Sequence, residues 1–154
     1  MELANAWFLH VSDRSEEDPE RLAATHNLAL SLSDQGKHAE AEVMLRALLE
    51  VDKRVLGAEH ADTMTSMHTL ACTLYGQGKY EEAEEMQRVV LTVEKRKQGV
   101  EHPNTLTAAN NIANCLTSQA KHTEAEQMLR EVLAARKRVH GAEHFQTLTT
   151  AHNL

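Results

Sequence analysis

Aromatic residues are scarce in this chain, at 3% of 154 positions, and there are only two prolines and six glycines. So few helix breakers leave little of the sequence for turns. Ala, Leu, Glu, Lys, Arg, Gln and Met, which lose least on entering a helix, are plentiful. An all-α protein is the expectation. The two cysteines, Cys72 and Cys115, form no C-x-x-C pair, which argues against a disulfide framework and suits a reducing compartment, the cytoplasm. An excess of positive charge is also missing. The formal net charge of -7 supplies no field toward phosphate backbones or anionic lipid, so nucleic acid is not an expected partner. Long apolar runs are absent too: the opening MELANAWFLHVS lacks a basic n-region, and no window approaches a membrane span.

What the chain does have is an internal repeat. Sliding the sequence against itself by 42 residues aligns 18–59, 60–101 and 102–143 without a gap, followed by a shorter stretch, 144–154. Identical residues recur at Ala29, Ala71 and Ala113, at Leu32, Leu74 and Leu116, and at Gln35, Gln77 and Gln119. The run Glu-Ala-Glu-x-Met-x-Arg begins at Glu40, Glu82 and Glu124. Self-similarity of this period marks an array of stacked units.

Each unit carries two amphipathic patterns. Leu22, Thr25, Leu28, Ala29 and Leu32 fall on one stripe of a first helix, as do Met64 to Leu74 and Leu106 to Leu116 at the same offsets. Ala41, Met44, Leu45, Leu48, Leu49 and Val55 define a longer second helix, matched by Ala125 to Val139. Gly36 and Gly78 stand where the first helix must end, and Ala120 replaces them in the third unit at some cost. Basic clusters at Lys53-Arg54, Lys95-Arg96-Lys97 and Arg136-Lys137-Arg138 suit the negative ends of the second helices. The next first helix opens after Ala61-Asp62-Thr63, Pro103-Asn104-Thr105 or Phe145-Gln146-Thr147, where Asp, Asn or Thr can cap and Gln146 caps poorly. His60, His102 and His144 precede these starts and are expected to fasten the turn.

The spacing of Leu28-Ala29, Leu32, Ala41 and Leu45 resembles the tetratricopeptide signature, with Leu where that family often has Tyr or Phe. The 42-residue length, the turn His102-Pro103-Asn104-Thr105-Leu106 and the long second helix are similar to the kinesin light chain subtype. Departures are Thr25, Met67 and Ala109 at the first signature aromatic, and Gln87 in the apolar place of Leu45 and Leu129. The resemblance implies a right-handed superhelical solenoid of antiparallel helix pairs, a binding and not a catalytic role, and first helices that line a concave face. Residues 1–17 are expected to be a capping helix or the remnant of a preceding repeat, with Leu3, Ala6 and Trp7 in the second-helix phase. The last stretch reads as the truncated first helix of an excised fragment, leaving Leu148, Ala151 and Leu154 uncovered and able to pair with a second copy.

On that implied concave face stand His26, Asn27 and Leu30, then His68, Thr69, Cys72 and Tyr75, then Asn110, Asn111 and Asn114, and last His152 and Asn153. These columns carry almost no charge. They suit hydrogen bonding to the backbone of an extended peptide, with selectivity from pockets near Leu30, Cys72 and Tyr75. The alternative is that Asn27, Asn111 and Asn153 bond neighbouring helices and touch no ligand. Protein or peptide is therefore the expected partner; a self-associating scaffold, or the sensing region of an NB-ARC-type receptor, are the alternatives. No zinc-type spacing, H-E-x-x-H motif, phosphate-binding loop or nucleophile elbow organises the ten histidines or the acids, so no metal, cofactor or enzymatic activity is expected.

Overall fold

The structure is a computed structural model and describes residues 2–154. Among these residues it holds eight helices and no strand: α1 (Glu2–Val11), α2 (Pro19–Asp34), α3 (His38–Val55), α4 (Ala61–Gly76), α5 (Tyr80–Gln98), α6 (Pro103–Ser118), α7 (His122–His140) and α8 (Phe145–Asn153). The helices that follow Gly36, Gly78 and Ala120 are longer, at 18 or 19 residues against 16 for α2, α4 and α6. Two compact units divide at Lys79 and Tyr80, inside the second 42-residue period, so sequence repeat and compact unit do not coincide.

In the first unit α1 packs on α2, α2 on α3 and α3 on α4. Leu28, Leu32 and Ala41 form a buried cluster against which Phe8 and Met44 pack. The buried side of α1 therefore runs through Phe8 and the fully buried Val11, whereas Leu3 is 86% and Trp7 40% exposed. That differs from the expected phase: α1 is turned so that Phe8, not Trp7, meets the core. In the second unit α5 packs on α6, α6 on α7 and α7 on α8. Ile112, Leu116 and Ala125 gather Leu91 and Met128 around them, and Leu106, Val132 and Ala135 gather Ala109. Gln87 takes the same fully buried place as Leu45 and Leu129. Val55 and Val139, expected on the apolar stripe, are exposed because the last buried positions on it are Asp52 and Arg136, three residues earlier.

The turns show which residues terminate and start each helix. Gly36 and Gly78 have φ of +76° and +79°, and Ala120 adopts the same left-handed conformation at +62°. Cβ crowding makes that conformation unfavourable for alanine. At the helix starts, Nδ1 of His60, His102 and His144 accepts from the backbone N–H of Asp62, Asn104 and Gln146, at 3.2, 3.2 and 3.3 Å. The cap is thus the histidine itself and not the expected Asp62 or Asn104, which is why Gln146 carries no penalty. Thr63 and Thr105 fasten the same turns by donating to the carbonyls of Gly57 and Gly99, each at 2.8 Å.

Candidate binding faces

In the first unit the polar residues of α2 and α4 form ties between the helices. His26 Nε2 lies 3.0 Å from Thr69 Oγ1, and the Thr69 hydroxyl donates to the Thr65 carbonyl, so the imidazole donates through Nε2–H. By the same reasoning Ser33 donates to Thr73 Oγ1 at 2.8 Å, since the Thr73 hydroxyl is given to the Thr69 carbonyl. Burial holds the His26 imidazole below its ordinary pKa against the opposing pull of Asp52 and Asp62. Outside these ties Asn27, Leu30, Cys72 and Tyr75 remain exposed. The Cys72 sulfur sits 3.7 Å from Nε2 of the half-buried His68. Local desolvation raises its thiol although the residue as a whole is exposed, the opposite of an activated nucleophile.

The second unit repeats the arrangement with other side chains. Asn110 is buried, and its Oδ1 lies 3.3 Å from Thr150 Oγ1, whose hydrogen is given to the Gln146 carbonyl at 3.0 Å. Asn153 Nδ2 donates to Asn114 Oδ1 at 3.4 Å. Asn111 is half-buried, while His152 and Asn153 are exposed. Of the expected contact residues, His26, Thr69, Asn110, Asn114 and Asn153 thus serve at least partly as ties, and Asn27, Leu30, Cys72, Tyr75 and His152 face solvent.

A second set of ties runs along the turns. Glu42 accepts from Gln77 Nε2 and Lys79 Nζ, both at 2.7 Å, and from Arg46 Nε at 2.9 Å. The Lys79 hydrogen bond, helped by Gln77 and Arg46 and opposed by burial, holds the Glu42 carboxyl down at about 2. One period later Glu84 accepts from Gln119 at 2.8 Å and from Arg88 at 2.7 Å. Burial pushes Glu84 up, but these bonds outweigh it and its pKa is lowered. The repeated Glu-Ala-Glu and Gln-x-Lys runs are therefore two ends of one clamp.

A pocket of about 260 Å³ opens in the first unit beside His26 and Asn27, not beside Leu30, Cys72 and Tyr75. Its lining includes Asp52, a residue only 3% exposed whose Oδ2 accepts from Ser66 Oγ at 2.6 Å. Asp52 lies seven residues after Leu45, on the apolar stripe of α3, and the same column holds Glu94 and Arg136. A charge at core phase in every unit was the legible signal for this residue. Arg136 is only 4% exposed and does not join the solvated basic cluster expected there. Its Nη1 donates to Thr150 Oγ1 at 2.6 Å and to the Gln146 carbonyl at 2.9 Å.

Among the described residues no three His, Cys, Asp or Glu side chains gather as a metal site would require. One histidine pair at helical spacing escaped the sequence reading: His140 and His144 stack with ring centroids 4.7 Å apart. They straddle a turn, and His144 Nδ1 is already engaged as a cap.

Paired helices of unequal length, tied by repeated polar rungs and closed by left-handed turns, define a helical-repeat scaffold. Tetratricopeptide repeat models match residues 20–96 and 105–146, and the chain belongs to the tetratricopeptide repeat family. Similar solved structures are kinesin light chain-like repeats. The nearly identical TPR-like repeats of a candidate kinesin light chain from Podosopora anserina match at 27% identity with a TM-score of 0.83, and a single-site variant of those repeats at 27% and 0.85. Each match covers 99% of this chain and 73% of the other. BtubC (BKLC) from P. vanneervenii shares the fold at 20% identity and a TM-score of 0.84, and the chain spans 61% of its length. A comparison with curated proteins returns no match. Among the described residues no helix is long and apolar enough to cross a membrane.

Proposed function

We propose that this chain binds an extended peptide segment of another protein along the uncharged faces of its first helices. Repeats of this family are generally protein-interaction modules and not catalysts. The observation that carries the reading is the division of labour on α2 and α4: His26, Thr69, Ser33 and Thr73 lock the two helices together, and Asn27, Leu30 and Tyr75 stay exposed beside them. A face held in this way loses little side-chain freedom when it binds. Asn27 offers a donor and an acceptor to a peptide backbone, and Leu30 and Tyr75 offer apolar area. The thiols of Cys72 and Cys115, which form no disulfide, agree with a cytoplasmic setting.

The test is a peptide-array screen followed by titration of the retained peptides against Asn27→Ala and Tyr75→Ala. Affinity should fall about tenfold or more for each variant, with the melting temperature unchanged. Capture that is indifferent to both substitutions would remove the first-helix face from the mechanism. Self-association is supported by one observation, the exposure of Phe145, Leu148 and Leu154 on and beside α8. Concentration-dependent light scattering that is abolished by Leu148→Glu would favour it.

A further inference from the structure

The pocket in the first unit has a chemistry that the first-helix faces lack. Asp52 is only 3% exposed, yet among the described residues no cation pairs with it, and Ser66 supplies its one side-chain hydrogen bond. No side chain donates to Oδ1, which still reaches the solvent of the pocket. A carboxylate largely withdrawn from water without a counter-charge is costly, and burial accordingly pushes the Asp52 carboxyl up, against the partial relief of Ser66. The pocket also contains Glu17 and Asp62 and no Lys or Arg. Glu17 already pairs with Arg54 at 3.0 Å. Asp62 lies 3.6 Å from His60 Nδ1, which accepts a backbone N–H as a cap and so carries no proton there. Asp62 is therefore the rim carboxylate that remains available to an incoming charge. Leu22, Leu48, Val55 and Leu56 supply apolar walls.

The second unit holds a natural comparison. Two periods after His26, Asp52 and Ser66 in the sequence come Asn110, Arg136 and Thr150. There a buried guanidinium donates to the hydroxyl of Thr150 and to a backbone carbonyl. This register of three helices thus accommodates a guanidinium beside a hydroxyl. In the first unit the register holds the carboxylate and a cavity of about 260 Å³ instead. That is below the range of about 300–1,000 Å³ typical of small-molecule sites and suits a single long side chain.

We infer that this pocket receives an arginine side chain of a bound peptide, its guanidinium on Asp52 and its aliphatic stem along Leu22 and Leu56. The inference rests on the peptide-binding reading and names the side chain that reading lacked. Arginine fits better than an apolar residue because charge-assisted hydrogen bonds to a mostly buried carboxylate are strong, and an apolar guest would displace water from Oδ1 without giving it a donor.

The experiment is an amide-detected NMR titration of the whole chain with acetyl-arginine amide, with acetyl-citrulline amide as the neutral isostere. Saturable shifts should centre on Ser66, His26 and Leu56 and be absent with the citrulline probe. Asp52→Asn, which keeps an acceptor for Ser66, should weaken the arginine probe about tenfold or more while the protein stays folded. Ala23→Leu, at a residue that lines the pocket, should block the probe independently. Absence of saturable shifts, equal binding of the citrulline probe, or indifference to both substitutions would overturn the assignment. Because the probe reads the pocket alone, its failure alongside peptide capture by the array leaves the peptide-binding reading standing. Probe binding without any captured peptide removes that reading.

Discussion

Ala120 holds a φ of +62° at the position where Gly36 and Gly78 end the corresponding helices. Glycine reaches this conformation without a Cβ clash, whereas alanine stores strain there. Ala120→Gly should therefore raise stability by about 1 kcal/mol, read as a higher urea midpoint at unchanged slope. An unchanged or lower midpoint would show that the loss of chain entropy outweighs the relieved strain. The histidine caps teach a related lesson about single residues. An imidazole is not among the side chains usually expected to cap, yet a neutral Nδ1 is an acceptor within reach of the second backbone N–H. His60, His102 and His144 all use it.

Each clamp joins the start of one helix to the end of another. Glu42 on α3 is bound by Gln77 and Lys79 in the turn after α4, and Glu84 on α5 is bound by Gln119 in the turn after α6. The Glu42 carboxyl has a folded pKa of about 2 against an ordinary value of 4.5. A depressed carboxylate stabilises the fold fully above the ordinary value and loses that contribution as pH falls toward the folded one. Stability should therefore drop between pH 4.5 and about 2, and Glu42→Gln should flatten that part of the profile while lowering the midpoint at neutral pH. Urea melts across this range check it, and a variant profile parallel to that of the parent would place the acid sensitivity elsewhere.

Across the whole molecule most charged side chains lie on solvated helix faces, with Asp52, Glu84, Glu94 and Arg136 buried, and the first-helix columns around Asn27, Leu30 and Tyr75 carry almost none. An arginine-free peptide bound through Asn27, Leu30 and Tyr75 should lose little affinity between low and physiological salt, as measured by fluorescence anisotropy. A collapse in affinity would move binding to the exposed cations at the ends of the second helices. The 42-residue period, the two stripes per unit and the turn glycines were all legible from residue order, because helix periodicity and backbone conformation are local properties. Locality also explains the misses. Whether Phe8 or Trp7 faces the core depends on how α1 is turned against α2, and a stripe alone does not decide between adjacent phases. Whether a polar column binds a ligand or a neighbouring helix depends on distances between helices, which made His26, Thr69 and Asn110 into ties. Asp52 was visible as a charge at core phase, but only packing between α2, α3 and α4 could turn it into the wall of a cavity without a counter-ion. Sequence order decides which side chains recur; the spacing between helices decides what each of them meets, and so which recurrences are structural and which stand ready for a partner.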